Sequence, residues 1–287
     1  MQEITVISGK GGTGKTSFTS AFASLAKESV FADCDVDAAN LYLILQPENY
    51  REEKFLGASI AVINHDVCTG CGLCKEICRF DAIDLINGQY EVSEFSCEGC
   101  DFCVNVCPVD AITMKKSYAS RWFIGNTRFG SMVHAKLGVA EDLSGKLVTT
   151  VREEAKKLAE IENKNILLVD GPPGIGCPVI ASVTGTSQVI IVTEPTKSGI
   201  HDLIRVVEMA MGFDIIPKVI VNKFDINLRL ADEIEEYCAS NGIELLGKVP
   251  FDKIMVDAMV NQQTIIEYSP NHPISLKIKE IWNKIVD

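Results

Sequence analysis

The sequence predicts an α/β protein: a mostly parallel, doubly wound sheet interrupted once by a small, cysteine-rich α+β module. Three observations carry this. Short β-rich runs alternate with amphipathic helical stretches along most of the 287 residues, a glycine-rich loop joins the first such strand to the first helix, and eight of the eleven cysteines crowd between Cys68 and Cys107. Alternation of this kind implies βαβ units, whose crossover helices cover both faces of the sheet.

In chain order, strands are expected at Ile4 to Ser8, Val30 to Asp33, Ile166 to Asp170, Val189 to Thr193, Lys218 to Asn222 and Glu244 to Val249, each a short apolar run bounded by turn-forming or polar residues. Helices are expected at Lys15 to Lys27, Val148 to Glu162, Gly199 to Met211, Leu228 to Ser240 and Leu276 to Val286, where apolar residues recur at intervals of three and four. Composition changes abruptly near Ile60 and changes back near Lys116. That shift marks an inserted domain at 60–116, between two parts of one larger domain at 1–59 and 117–287.

Charge and hydropathy exclude some functions. A net charge of -12 disfavours binding to nucleic acid, because phosphate contacts come from clustered lysine and arginine. No apolar run approaches the roughly 18 residues of a membrane span, and Met1 to Gly9 enters structure without a basic, apolar leader. A cytoplasmic chain is therefore expected. In a reducing compartment, eleven cysteines point to metal or redox work rather than disulfides.

Gly9-Lys10-Gly11-Gly12-Thr13-Gly14-Lys15-Thr16 follows the first strand and opens a helix that Ser17 continues. This is a P-loop in the right context. Its glycines let backbone N–H groups turn inward around phosphate oxygens and the helix N-terminus adds its positive end. Lys15 is placed for the β and γ phosphates, and the Thr16 hydroxyl for magnesium. Read from Gly9 the stretch also contains G-x-G-x-x-G, a dinucleotide fingerprint, but the Gly-Lys-Thr ending suits the P-loop better.

With Lys10 included, Lys-Gly-Gly-Thr-Gly-Lys-Thr resembles the deviant P-loop of MinD/ParA ATPases, over essentially all of the chain outside the insert. The resemblance implies ATP and Mg2+ as ligands and an ATP-dependent homodimer, or a heterodimer with a similar chain. It also implies that Lys10 acts across the dimer on the partner's nucleotide, as an arginine finger does. Catalytic roles then fall to Lys10, Lys15 and Asp35. The last would orient the attacking water from Asp33-Cys34-Asp35-Val36-Asp37, with Asp37 as second choice and Asp33 ambiguous. Asp170-Gly171-Pro172-Pro173-Gly174 resembles the switch that senses the γ-phosphate, with Asp170 near magnesium, and Asn222-Lys223 resembles the adenine-reading position.

Within the insert, Cys68-x-x-Cys71-x-x-Cys74-x-x-x-Cys78 and Cys97-x-x-Cys100-x-x-Cys103-x-x-x-Cys107-Pro108 repeat one spacing. Both match the bacterial ferredoxin run, in which three close thiolates hold one 4Fe-4S cluster and the fourth serves the other. The expected sets are therefore crossed: Cys68, Cys71, Cys74 and Cys107 for one cluster, Cys97, Cys100, Cys103 and Cys78 for its neighbour. Zinc is the alternative, though its sites seldom use this triple spacing twice. The insert resembles a two-cluster ferredoxin, including Asp81-Ala82-Ile83 and Asp110-Ala111-Ile112; Arg79 replaces the usual proline and puts the local loop shape in question.

Smaller features read more plainly. His65 is expected in a surface loop, and Cys34, Cys177 and Cys238 as ordinary buried thiols, Cys177 having a spacing from Asp170 like that of a cluster-bridging cysteine in the nitrogenase iron protein. The helix from Ile274 to Val286 has an apolar face resembling a membrane-surface helix, but docking on its own core is the expectation. Taken together, these features predict an ATP-hydrolysing dimeric switch coupled to two 4Fe-4S clusters and gating electron transfer to an unidentified redox or client protein. The alternatives are an iron-sulfur cluster assembly or carrier ATPase and a MinD-like spatial or regulatory ATPase.

Overall fold

The structure is a computed structural model that describes every residue except 58, 117, 119, 139–143 and 287. The chain opens with β1 (Gln2–Ser8), α1 (Lys15–Leu25), β2 (Ser29–Asp33), α2 (Leu41–Leu45) and β3 (Glu48–Lys54). There follow β4 (Ser59–Ile63), α3 (Leu73–Ile77), β5 (Ile83–Ile86), β6 (Gln89–Val92), α4 (Phe102–Val106) and β7 (Ile112–Lys116). The remainder is β8 (Arg121–Asn126), β9 (Ser131–Lys136), α5 (Ser144–Ile161), β10 (Ile166–Pro173), α6 (Cys177–Val183), β11 (Gln188–Thr193), α7 (Lys197–Met211), β12 (Lys218–Asn222), α8 (Leu228–Ser240), β13 (Glu244–Val249), α9 (Ile254–Val260), α10 (Ile265–Tyr268) and α11 (Pro273–Val286). Two compact units result, one of Met1–Glu52, Trp122–Ala135 and Ser144–Asp287, the other of Glu53–Arg121 with Lys136–Leu143.

Among the described residues the larger unit is built on a nine-stranded sheet in the order β13-β12-β11-β1-β10-β2-β9-β8-β3. The ladders joining β1 to β10 and β11, β10 to β2, β11 to β12, β12 to β13 and β2 to β9 are all parallel. From β1 the chain crosses to β2 on one side, and from β10 it crosses back to β11 on the other. The carboxyl end of β1 is thus the topological switch point, where open α/β sheets bind ligands.

Packing follows from the apolar faces. On one face, Ile4, Leu168 and Ile190 of the sheet meet Phe18 and Phe22 of α1 and Ile274, Ile278, Ile281, Trp282 and Ile285 of α11, with the rings of Phe22 and Trp282 stacked at 5.3 Å. The other face packs Ile7, Val189 and Ile191 against Leu203, Val206 and Ile234. The membrane-like face of the C-terminal helix is therefore internal core. The expected strands and long helices are present; β3, β8 and β9 were not anticipated. β3 is exposed at every position, and its charged sequence protects a sheet edge instead of filling a core.

In the smaller unit β4 and β7 pair antiparallel, from Ser59 opposite Lys116 to Ile63 opposite Ile112. β5 and β6 form a hairpin turned by Asn87 (φ 51°) and Gly88 (φ 84°), the Asn-Gly pair that a type I′ turn demands. Its two halves repeat one another. α3 begins after Gly72 at φ 82° and α4 after Asp101 at φ 65°; α3 ends at Cys78 (φ -72°, ψ 107°) and α4 at Cys107 (φ -73°, ψ 112°). The two helix ends match although Arg79 stands in one half where Pro108 stands in the other, and Asp81 (φ 48°) and Asp110 (φ 51°) match after them. Ala61, Ile63, Ile83 and Ile112 form a core that contains Cys74 and Cys103.

Candidate nucleotide site and cysteine cavities

The P-loop runs from the carboxyl end of β1 to the first turn of α1, where the sheet topology places a ligand. Gly12 (φ 81°) and Gly14 (φ 96°) supply the left-handed turns, and a Cβ on Gly14 would strike the side-chain nitrogen of Asn222. A cleft of about 380 Å³ opens above the loop, lined by Gly11, Gly12, Gly14, Lys15, Thr16 and Ser17, by Asp35 and Asn222, and by Phe251, Met255, Val256 and Met259.

Lys15 is 6% exposed, and its ammonium lies 2.9 Å from Asp170 Oδ1 and 3.3 Å from Asp35 Oδ2. Burial pulls its pKa down, but Asp170 and then Asp35 outweigh burial and hold it above the ordinary lysine value. Asp170 is fully buried and also accepts from Thr16 Oγ1 at 2.8 Å and Thr19 Oγ1 at 2.8 Å. Burial pushes Asp35 up against the pull of Lys15. Asp35 borders the cleft, whereas Asp37 does not.

Asp33 accepts the backbone N–H of Asp35 and of Leu41. Burial, aided by Asp170, raises it to about 8. Through those two hydrogen bonds it braces the 34–41 turn that carries Asp35.

Lys10 points away from its own cleft. Its ammonium contacts Glu194 at 2.8 Å, Ser198 Oγ at 2.9 Å and Thr196 Oγ1 at 3.0 Å. Lys223 shares Glu194 at 3.0 Å and donates to Gly12 O at 2.9 Å. Although burial opposes it, these two lysines hold the Glu194 carboxyl below its usual range. Asn222 donates to Thr13 O at 2.8 Å and accepts from Lys223 N–H at 3.0 Å, so both ends of the amide expected to read adenine are already engaged, the nitrogen with the P-loop and the oxygen with its own turn. Glu194, Thr19 and the Phe251 to Met259 wall escaped the sequence reading. Glu194 and Phe251 each follow closely on an expected strand, the position from which a doubly wound sheet presents ligand contacts.

In the smaller unit two small cavities each meet four cysteines. Cys68, Cys71, Cys74 and Cys107 line one, with Tyr90 and Leu73; Cys97, Cys100, Cys103 and Cys78 line the other, with Phe80, Phe102, Glu98 and Asp101. The Ala111 N–H donates to Cys107 Sγ at 3.2 Å and the Ala82 N–H to Cys78 Sγ at 3.4 Å, at matching places in the two halves. All eleven cysteines are free thiols, and among the described residues no group of three or more His, Cys, Asp or Glu side chains is closed enough to hold a single metal ion. His65 is partly exposed and faces Glu91 at 3.3 Å. Cys34 and Cys238 are buried thiols, but Cys177 is exposed, correcting the expectation for that residue: it is the first residue of α6, beyond the Gly174 turn.

A parallel sheet with a P-loop at its switch point, a buried loop lysine and strand-end aspartates define a P-loop nucleotide-binding ATPase. The chain belongs to the CobQ/CobB/MinD/ParA nucleotide-binding family, whose model matches residues 4–265. It is 32% identical over 288 residues to an uncharacterized protein of Methanocaldococcus jannaschii, covering 99% of this chain and 96% of that one. An uncharacterized ATP-binding protein of the same archaeon is 24% identical over 289 residues, covering 99% of this chain and 87% of its own length. Among solved structures, the septum site-determining protein MinD of Pyrococcus horikoshii, complexed with Mg-ADP, superposes with a TM-score of 0.59 at 17% identity, covering 99% and 95% of the two chains. MinD in the MinC:MinD cell division complex of Aquifex aeolicus gives 0.58 at 21%, covering 100% and 96%. At those identities the likeness shows the fold. No helix among the described residues is long and apolar enough to cross a membrane.

Proposed function

We propose that this chain is a nucleotide-driven switch of the MinD kind, in which Mg-ATP joins two copies and hydrolysis parts them. The observation that carries it is the pairing of a buried Lys15 with Asp170 and Asp35 at the floor of the cleft, while Lys10 is held outside it by Glu194. Arriving phosphates would take Lys15 from its carboxylates and leave Asp35 to orient water. Thr16 and Asp170 offer the oxygen donors suited to Mg2+, which would neutralise phosphate charge. Lys10 is left to serve a second subunit. The MinD proteins that share this fold are cell division and septum site-determining proteins, which supports a regulatory switch over gated electron transfer or cluster delivery.

Sedimentation velocity with Mg-ATP or Mg-ADP, beside phosphate release, tests this reading. A dimer is expected with Mg-ATP alone, and Lys15→Ala should lose both dimer and hydrolysis. A chain that stays monomeric with Mg-ATP at every concentration sinks the reading.

A second reading concerns the insert, an inserted two-cluster ferredoxin-like domain at about 60–116. The crossed lining of its two cavities, three cysteines from one run and the fourth from the other, supports one 4Fe-4S cluster in each. Four thiolates on four separate irons stand further apart than ligands of one ion, so the lack of a closed single-ion site is compatible with a cluster. Bound clusters would supply one-electron chemistry. Anaerobic iron loading followed by electron paramagnetic resonance, with and without Mg-ATP, decides the matter. Two cluster signals support the reading, a nucleotide-dependent shift restores the coupling expected from the sequence, and a chain that binds no iron removes both.

A further inference from the structure

The two halves of the cysteine unit share a backbone but not a surface. Aligned on their cysteines, Asp66, Thr69, Gly72 and Leu73 of the first half correspond to Phe95, Glu98, Asp101 and Phe102 of the second. In the second half, large aromatics are left in water: Phe95 is 74% exposed, Phe102 57%, and Phe80, which borders the same cavity from the first half, 44%. Glu98 and Asp101 line that cavity beside Phe80 and Phe102, and Cys100 is itself exposed there. The other cavity is edged by Thr69, Leu73, Tyr90 and Val109, with no carboxylate among its lining residues.

Charge is equally one-sided. Residues 80–114 hold seven carboxylates and no lysine or arginine. Of the seven, Asp84 is paired with Lys75 at 2.9 Å and Glu91 faces His65 at 3.3 Å, while Glu98 and Asp101 are the two that line the cavity. Exposed apolar groups rimmed by charge mark interaction sites, and complementary charge selects the partner.

From this we infer that the face around the Cys97, Cys100, Cys103 and Cys78 cavity docks a protein partner carrying a basic patch with an apolar centre. A second copy of this chain, at a net charge of -12, would meet the face with repulsion, as would an anionic membrane. That the docked partner would address the cluster in this cavity rests on the cluster reading above; the docking itself does not.

The probe is cytochrome c, whose haem edge is ringed by lysines, titrated calorimetrically into the full chain after anaerobic iron loading at low and moderate salt. Glu98→Lys with Asp101→Lys is expected to weaken binding about ten-fold at low salt. Phe102→Ser should weaken it without altering the salt dependence. Glu208→Lys with Glu236→Lys, an equal charge change at exposed positions of α7 and α8, should bind as wild type does. Equal losses for the two charge pairs would overturn the inference by reducing it to net charge. Self-association of the chain that Glu98→Lys with Asp101→Lys abolishes would overturn it too, by giving the face to a second copy. Iron content is measured on every variant. A chain that takes up no iron yet binds through this face loses the cluster reading and keeps the docking; a loaded chain whose face variants bind unchanged loses the docking alone.

Discussion

Lys15 and the three aspartates around it form one buried electrostatic unit, and its members answer to pH differently. Asp33, raised to about 8 chiefly by burial, binds a proton more tightly in the folded chain than in the unfolded one. A group of that kind stabilises the fold while protonated, so stability falls as pH rises from its unfolded value, about 4, toward 8. Asp35 is raised as well and adds to the same slope. Lys15, held above the ordinary lysine range, keeps its charge throughout that window and adds none. The melting temperature of the nucleotide-free protein should therefore drop between pH 5 and pH 8 by clearly more in wild type than in Asp33→Asn, which retains one acceptor oxygen for the 34–41 turn. Parallel profiles for the two proteins would show that Asp33 ionises normally.

At the level of elements, α11 shows why pattern alone misleads. Its apolar stripe is legible in the sequence, yet a membrane helix and a docked helix carry the same stripe. What decides is the partner face that Phe22 presents from far away in sequence. Ile278→Ala should cost about 2–5 kcal/mol of unfolding free energy in a urea titration, the range for a buried aliphatic truncation; a loss under about 0.5 kcal/mol, the scale of a surface change, would mean the helix is not docked. The P-loop and the paired cysteine spacings were legible because each is local: a turn needing glycine and a loop needing thiolates write themselves into consecutive residues. Glu194 was not, because its partners Lys10 and Lys223 meet it only through the order of β1, β11 and β12. The edge strand β3 was missed for a related reason, since an edge needs charge more than alternation. Asn222 shows a motif position with an unforeseen task. Asn222→Ala should weaken ATP and GTP binding alike by loosening the Thr13 carbonyl, measured by calorimetry with each nucleotide; a loss confined to ATP would mean that the amide reads the base after all.

For the molecule as a whole the question is whether one chain contains a complete active site. Lys10 is about 28% exposed, is tied to Glu194 and is absent from the lining of its own cleft, whereas Lys15 and Asp35 are both inside. If Lys10 serves a second copy, each site draws Lys15 and Asp35 from one chain and Lys10 from the other. Lys10→Ala and Asp35→Asn should then each lose hydrolysis about 100-fold or more on their own. Mixed in equal amounts, they should recover: random pairing makes half the dimers mixed, and each mixed dimer has one of its two sites intact. Phosphate release near a quarter of the wild-type rate is the expected result, at protein concentrations where wild type is dimeric with Mg-ATP. If Lys10 instead turned inward to its own nucleotide, a mixed dimer would pair two broken sites, and the mixture would hydrolyse no faster than the average of its parts. Glu194→Gln gives the same question a second reading. Weakening the hold on Lys10 should leave nucleotide affinity at Lys15 intact while lowering the concentration at which Mg-ATP joins the chains.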